Sequence, residues 1–194
     1  MGRSDLEVVR RDAADCTRCP LYLEATQTVF GEGRAGAPLL LVGEQPGDQE
    51  DLAGRPFVGP AGKVLDRALQ AAGINRADTY VTNVVKHFKF ERRGKARIHK
   101  KPDRSEITAC RHWLDRELAL VEPELVILLG ATAAQALLGA TFRVTRERGQ
   151  VIERPDLPPM VATIHPSAVL RADNREAMFE GLVADLRVAA SVHA

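Results

Sequence analysis

Short apolar runs alternate along this chain with stretches in which apolar residues recur at helical spacing. The apolar runs predict buried strands at residues 39–42, 80–85, 125–129 and 160–164, with a further brief strand at 150–152. The helical spacing predicts helices at residues 5–15, 60–72, 103–121, 131–138 and 174–190. Continuously apolar strands that are separated by helices indicate a parallel sheet covered on both faces. The pattern therefore predicts a three-layer α/β/α sandwich.

Composition places the chain among ordinary globular proteins. It has 194 residues, of which 45% are hydrophobic and 27% are charged. No apolar run approaches the roughly 20 residues of a membrane span. The N-terminal residues mix acids with bases and lack the apolar core of a secretory signal. We expect one domain over residues 1–194, a monomer without membrane contact, and a cytoplasmic location.

Polar residues follow three of the predicted strands. Glu44 and Gln45 come after the first strand, Asn83 lies near the end of the second, and His165 and Ser167 follow the last. The carboxyl ends of parallel strands share one edge of the sheet, where ligands bind. The sequence therefore predicts a site at this edge.

Positive charge is concentrated in residues 86–101, here called the basic segment. Its sixteen residues hold eight Lys or Arg and one Glu, a net charge of +7 in a chain whose total is +1. Phe88 and Phe90 are interleaved with the bases. Basic side chains contact phosphates and aromatic rings stack on unpaired bases, so the segment indicates single-stranded nucleic-acid binding. A solvated, mobile loop is the alternative.

The three cysteines suggest a metal centre. Cys16 and Cys19 form a CxxC motif, and Cys110 lies far along the chain. A zinc or iron–sulfur site requires four ligands, and His87 is the best candidate for the fourth. Residue type does not separate zinc from iron–sulfur. The alternative is a redox or buried cysteine pair with Cys110 in the core.

Seven motifs in order resemble the family 4 uracil-DNA glycosylases, and among them the subgroup called UdgX. They are CTRCPL at 16–21, GEQPG at 43–47, GRPFVGPAG at 54–62, YVTNVVKH at 80–87, RIH at 97–99, LLGATAA at 128–134 and HPS at 165–167. The resemblance implies a uracil-DNA glycosylase fold with a four-stranded central parallel sheet. It also implies a 4Fe–4S cluster held by Cys16, Cys19, His87 and Cys110. The subgroup's loop reads KRRIH, whereas this chain has Ala96 in place of one basic residue.

Uracil excision requires the base to be extruded into a pocket. The Asn83 amide matches the O4 and N3–H edge of uracil, and Phe57 can stack on the flipped ring. A donor that stabilises charge developing at uracil O2 lowers the barrier, and the resemblance assigns this role to His165. These residues predict a uracil-recognition pocket.

In the subgroup that the chain resembles, the loop histidine attacks C1′ and stays attached to the abasic DNA. His99 is the corresponding residue, Glu44 can hold or deprotonate it, and Gln45 can position the sugar or backbone. We expect DNA contacts from a further set of residues: Lys95, Arg97, Lys100 and Ser167. The resulting hypothesis is a single-turnover glycosylase that acts on uracil in single-stranded DNA.

Two alternatives remain at this point. The first is a conventional family 4 glycosylase that turns over, with His99 only touching DNA. The second is a non-catalytic iron–sulfur or zinc protein that binds nucleic acid through the basic segment.

Overall fold

A computed structural model describes residues 3–193. Its strands are β1 (Leu39–Gly43), β2 (Thr79–Asn83), β3 (Phe90–Arg93), β4 (Ala96–His99), β5 (Leu125–Leu129), β6 (Val151–Arg154) and β7 (Leu157–Thr163). Its helices are α1 (Arg3–Ala14), α2 (Asp48–Ala53), α3 (Pro60–Ala71), α4 (Arg104–Val121), α5 (Ala131–Leu138), α6 (Val144–Glu147), α7 (Pro166–Arg171) and α8 (Arg175–His193). None of the described helices combines the length and apolarity needed to cross a membrane.

The central sheet has the strand order β2-β1-β5-β7-β6. The first four strands are parallel, and β6 adds to the edge antiparallel to β7. The predicted α/β fold is confirmed, with five strands in the sheet where four were expected. The fifth strand forms because residues 151–163 fold back as a hairpin, with Arg154 opposite Leu157.

Alternate residues of the parallel strands face two separate apolar layers. Leu40, Val42 and Leu128 pack with the side chains of α1, α4 and α5. Leu41 and Ile127 point the other way and pack with α3 and α8. This alternation follows from the period of two in a strand, and it produces the three layers that the sequence predicts.

The basic segment contains an element that the sequence did not predict. Residues 90–99 form an antiparallel hairpin, β3-β4, in which Phe90 pairs with His99 and Arg92 with Arg97. Gly94 opens its two-residue turn with a φ of +60°, a conformation that glycine adopts without strain. Charged side chains on both faces of the hairpin hide the apolar–polar alternation that usually signals strands. Helices α2, α6 and α7 were also not predicted.

Close packing of α3 against the loop that carries Phe57 leads to a stability prediction. A Cβ at Gly62 would lie 1.8 Å from the carbonyl oxygen of Phe57, a backbone atom that has little freedom to move. We expect Gly62→Ala to lower the free energy of unfolding by about 2–4 kcal/mol in urea denaturation. Gly181→Ala is the control, because its Cβ would come closest to the end of the flexible Arg148 side chain. Its effect should stay within about 1 kcal/mol, and equal losses in the two variants would contradict the packing described here.

Candidate active site

Glu44 joins three elements at the carboxyl edge of the sheet. It follows β1, and its Oε1 lies 3.1 Å from Nε2 of His99 at the end of β4. Its Oε2 accepts a hydrogen bond from the hydroxyl of Thr132 at the start of α5. The predicted pairing of Glu44 with His99 is therefore present. Thr132 was not predicted, because the predicted site used residues from the ends of β1, β2 and β7 and none from the end of β5.

The environment of Glu44 keeps it ionised. Burial raises the pKa of the carboxyl group, but the hydrogen bonds from His99 and Thr132 outweigh burial and hold the pKa below its usual value. The His99 side chain is 52% exposed. The edge thus presents an accessible imidazole within hydrogen-bond distance of an ionised carboxylate.

Gln45 fixes the base of the hairpin. Its Nε2 donates to the carbonyl oxygens of Lys89 and Lys100, and its Oε1 accepts from the Lys89 N–H, each at 3.1 Å. These bonds tie both hairpin strands to the loop after β1. The structure directs the Gln45 amide to the backbone of the hairpin, whereas the sequence suggested that it positions the sugar or backbone of the DNA.

Arg97 anchors the inner face of the hairpin. Its guanidinium donates to Asp48 at 2.5 Å and to the buried Asp51 at 2.6 Å, and it lies 5.5 Å and 5.1 Å from the ring centroids of Phe88 and Phe90. Only 13% of the Arg97 side chain is exposed. The structure therefore places Arg97 against α2, not on the surface where a phosphate contact was expected.

Asn83, Phe57 and His165 lie close to one another beside this edge. Asn83 is buried, and its Oδ1 has no hydrogen-bond partner. Phe57 has a left-handed φ of 54°, and its ring centroid lies 6.0 Å from that of His165. A Cβ at Gly43 would lie 2.4 Å from Asn83 Oδ1 and 2.6 Å from Phe57 Cζ. A buried, unpaired amide oxygen beside an aromatic ring fits a planar polar base.

His165 is held in one tautomer. The Ser167 N–H donates to its Nδ1 at 3.1 Å, and the Ser167 hydroxyl lies 2.8 Å from the same nitrogen. A nitrogen that accepts carries no proton, so the proton of the neutral ring is on Nε2. Burial lowers the pKa of His165 to about 4. The ring is therefore a neutral Nε2–H donor at physiological pH.

The remaining predicted DNA contacts, Lys95, Lys100 and Ser167, differ in exposure. Lys95 is in the hairpin turn and Lys100 directly follows β4, and both are exposed. Ser167 is partly buried, and its hydroxyl receives a hydrogen bond from Arg171 at 3.0 Å. The two lysines thus present charge where a phosphate backbone can approach.

The predicted cluster ligands lie near one another without forming a metal group. The three cysteines are buried free thiols. Cys16 and His87 line one cleft of about 310 Å³. Within residues 3–193, no three or more His, Cys, Asp or Glu side chains are grouped so as to hold a metal ion.

The chemistry of these donors nevertheless fits a metal centre. His87 Nδ1 is buried without a hydrogen-bond partner, while its Nε2 is 2.9 Å from the Thr28 hydroxyl. Trp113 Nε1–H donates to Cys16 Sγ at 3.1 Å, and the Lys86 N–H donates to Cys110 Sγ at 3.2 Å. Hydrogen bonds to sulfur and an unpaired imidazole nitrogen are typical of metal-ligand surroundings.

A buried unpaired amide oxygen, a histidine–carboxylate pair and a basic hairpin at one edge of the sheet are typical of an enzyme that acts on a nucleic acid. Residues 30–187 match the family model described as the uracil DNA glycosylase superfamily, and the chain belongs to that superfamily.

The chain is similar to several proteins named type-4 uracil-DNA glycosylase. It is 37% identical to the one from Thermotoga maritima over 172 residues, which cover 88% of this chain and 86% of the relative. It is 34% identical to the one from Pyrobaculum aerophilum over 174 residues, which cover 86% of this chain and 85% of the relative. The shared region includes both the sheet and the edge described above.

The tautomer of His165 generates a pH prediction. We expect its imidazole to stay neutral, with the proton on Nε2, down to about pH 5, and to titrate near pH 4 in ¹⁵N NMR spectra. A free histidine has a pKa of about 6.5, so the unfolded chain binds more protons than the folded protein between the two values. The contribution of His165 to the free energy of unfolding should therefore fall as the pH drops from about 6.5 through 4.

The resonance that disappears in the His165→Asn variant is that of His165. Asparagine retains an acceptor for the Ser167 N–H, so the start of α7 should stay intact in this variant. A His165 resonance that titrates near pH 6.5 would contradict the burial and the tautomer.

Proposed function

We propose that this protein excises uracil from single-stranded DNA and captures the resulting sugar on His99, as in the UdgX subgroup. One observation carries the proposal: a half-exposed imidazole lies 3.1 Å from the ionised Glu44, at the edge of the sheet that also holds Asn83, Phe57 and His165. Membership of the uracil-DNA glycosylase superfamily supports the excision step. Capture by His99 is the added step.

Recognition begins with extrusion of the base into the pocket. The Asn83 amide, whose Oδ1 has no partner within the protein, pairs with the N3–H and O4 edge of uracil. Phe57 stacks on the ring, a contact that contributes roughly 1–3 kcal/mol per base.

Cleavage breaks the C1′–N1 bond, and its electron pair leaves with uracil. The Nε2–H of neutral His165 donates to O2 as negative charge develops there. This hydrogen bond strengthens in the transition state, and it therefore lowers the barrier without holding the substrate more tightly. The sugar is left with oxocarbenium character at C1′.

Capture uses the His99 nitrogen that does not face Glu44. The nitrogen near Glu44 is protonated and donates to the carboxylate, so the other nitrogen carries the free lone pair. This lone pair forms the N–C1′ bond, and the proton on the first nitrogen passes to Glu44. The product is a neutral imidazole bonded to the abasic sugar, while the released uracil anion takes a proton from water.

The hairpin supplies the contact with single-stranded DNA. Lys95 and Lys100 are exposed on it, and the guanidinium of Arg92 lies 5.4 Å from the centroid of the Phe90 ring. These charges approach phosphates on either side of a flipped nucleotide. We also propose that the chain acts as a monomeric single domain. Its cytoplasmic location stays a prediction.

We propose that Cys16, Cys19, His87 and Cys110 hold a 4Fe–4S cluster. The cluster's contribution is structural cross-linking of the N-terminal segment to α4 and to the start of the basic segment. Burial raises the pKa of Cys110 to about 11 and also raises that of Cys19, so both thiols need a nearby metal to ionise at neutral pH. The donor set supports an iron–sulfur centre, and no step of the reaction passes through it.

Covalent capture predicts a denaturation-stable complex. We expect a uracil-containing single-stranded oligonucleotide to produce a shifted band that survives boiling and detergent, with at most one uracil released per protein. His99→Ser should abolish the band, because serine has no basic nitrogen to attack C1′. Glu44→Gln should slow its formation roughly tenfold or more, since glutamine cannot accept the proton.

His112→Ser is the matched control, because His112 is an exposed histidine on α4 outside this edge. A thymine oligonucleotide controls for uracil dependence. Release of many uracils per protein without a shifted band would favour the conventional turnover glycosylase, in which Glu44 activates water.

A further inference from the structure

A fully buried ion pair joins Lys86, in the segment after β2, to Glu117 on α4. The side chains of Lys86 and Glu117 are both 0% exposed, with Nζ and Oε2 2.5 Å apart. Removing two charges from water is costly, and hydrophobic residues of similar volume often pack at least as stably. Folding alone therefore does not explain this pair, and its contacts indicate what else it does.

The Lys86 ammonium group has three protons and three acceptors. It donates to the Thr82 hydroxyl at 2.6 Å, to the Asn83 carbonyl oxygen at 2.7 Å and to Glu117. The bond to Asn83 reaches the end of β2, where the Asn83 side chain lies near Phe57. Together with the Val84 N–H, which donates to the Gly43 carbonyl oxygen at 2.9 Å, this bond holds the peptide plane that follows Asn83.

The carboxylate that holds Lys86 is itself immobile. Glu117 Oε1 accepts hydrogen bonds from the Gly31 N–H and the Tyr80 hydroxyl, each at 2.9 Å, and from the Thr82 hydroxyl at 3.0 Å. These donors come from two different segments of the chain. Rotation of Glu117 would leave buried donors unpaired, so the position of the ammonium group is fixed as well.

The backbone of Lys86 provides a second attachment to α4. Its N–H donates to Cys110 Sγ at 3.2 Å. Cys110 and Glu117 are seven residues apart, two helical turns, and therefore lie on the same face of α4. One helix face thus holds Lys86 both at its peptide and at its ammonium group.

We propose that Lys86 and Glu117 are positioning residues for uracil recognition. They hold Asn83 in the orientation that meets the uracil edge, so that no reorganisation is needed when the base enters. This inference rests on the proposed function of Asn83 as the residue that reads uracil. Neither residue touches the substrate, and their effect on the reaction passes through Asn83.

A double-mutant cycle tests this coupling. The paired variant Lys86→Met/Glu117→Gln removes the ammonium group, retains the Lys86 N–H, and retains an acceptor for Gly31. We expect it to slow single-turnover uracil excision from a single-stranded oligonucleotide by about ten- to hundredfold. In an Asn83→Ala background, the same pair of substitutions should cause little or no further loss.

Val121→Ala is the matched control for stability. Val121 is buried one turn beyond Glu117 on the same face of α4, so its truncation should lower Tm without slowing excision. Should the paired variant not fold, Glu117→Gln alone is taken through the same cycle, because its amide oxygen still accepts from the Gly31 N–H while its NH2 group removes the acceptor for Lys86.

Two results would overturn the inference: a paired variant as fast as the wild type, or a loss of equal size with and without Asn83. A wild-type protein that excises no uracil would overturn the proposed function itself. An Asn83→Ala variant as fast as the wild type would remove the recognition role of Asn83, and the inference with it.

Discussion

The Glu44 carboxylate connects the parts of this site that come from different regions of the chain. It is largely buried and ionised, and such a group is stable only when both oxygens have partners. Thr132 supplies one partner from α5 and His99 supplies the other from the hairpin. The contact between Glu44 and His99 therefore holds the β3-β4 hairpin against the carboxyl edge of the parallel sheet. The same contact orients the His99 imidazole.

Several cations of the basic segment form ion pairs within the protein, so its net charge of +7 overstates the charge that is available to DNA. Lys86 is paired with Glu117, Lys89 with Asp103 and Glu106, and Arg97 with Asp48 and Asp51. These cations hold the segment in place from within. The exposed basic residues are a smaller set: Arg92, Arg93, Lys95, Lys100 and Lys101. One segment thus has an inner face that positions His99 and an outer face that exposes positive charge.

Sequence patterns predicted the elements whose signals are local. Residues 125–129 form β5 with the predicted bounds, and α4 covers nearly all of the helix predicted at 103–121. The convergence of Glu44, Asn83 and His165 followed from the shared edge of parallel strands. The family resemblance added His99, which the structure places beside Glu44.

The remaining features depend on contacts that are distant in sequence. Nothing local shows that Gln45 binds the backbone of Lys89 and Lys100, or that Arg97 turns inward to α2. Charge alone suggested that Arg97 faces solvent, and only the buried Asp51 explains why it does not. The Lys86–Glu117 pair joins residues 31 positions apart and was likewise invisible in the sequence.

Locating the bond between protein and DNA tests the central claim most directly. The protein would be reacted with a uracil-containing single strand, digested with nuclease and protease, and analysed by tandem mass spectrometry. The account predicts an added abasic deoxyribose phosphate on the His99 imidazole, and no modified peptide when uracil is replaced by thymine. Modification of another residue, or unmodified protein alongside released uracil, would contradict capture by His99.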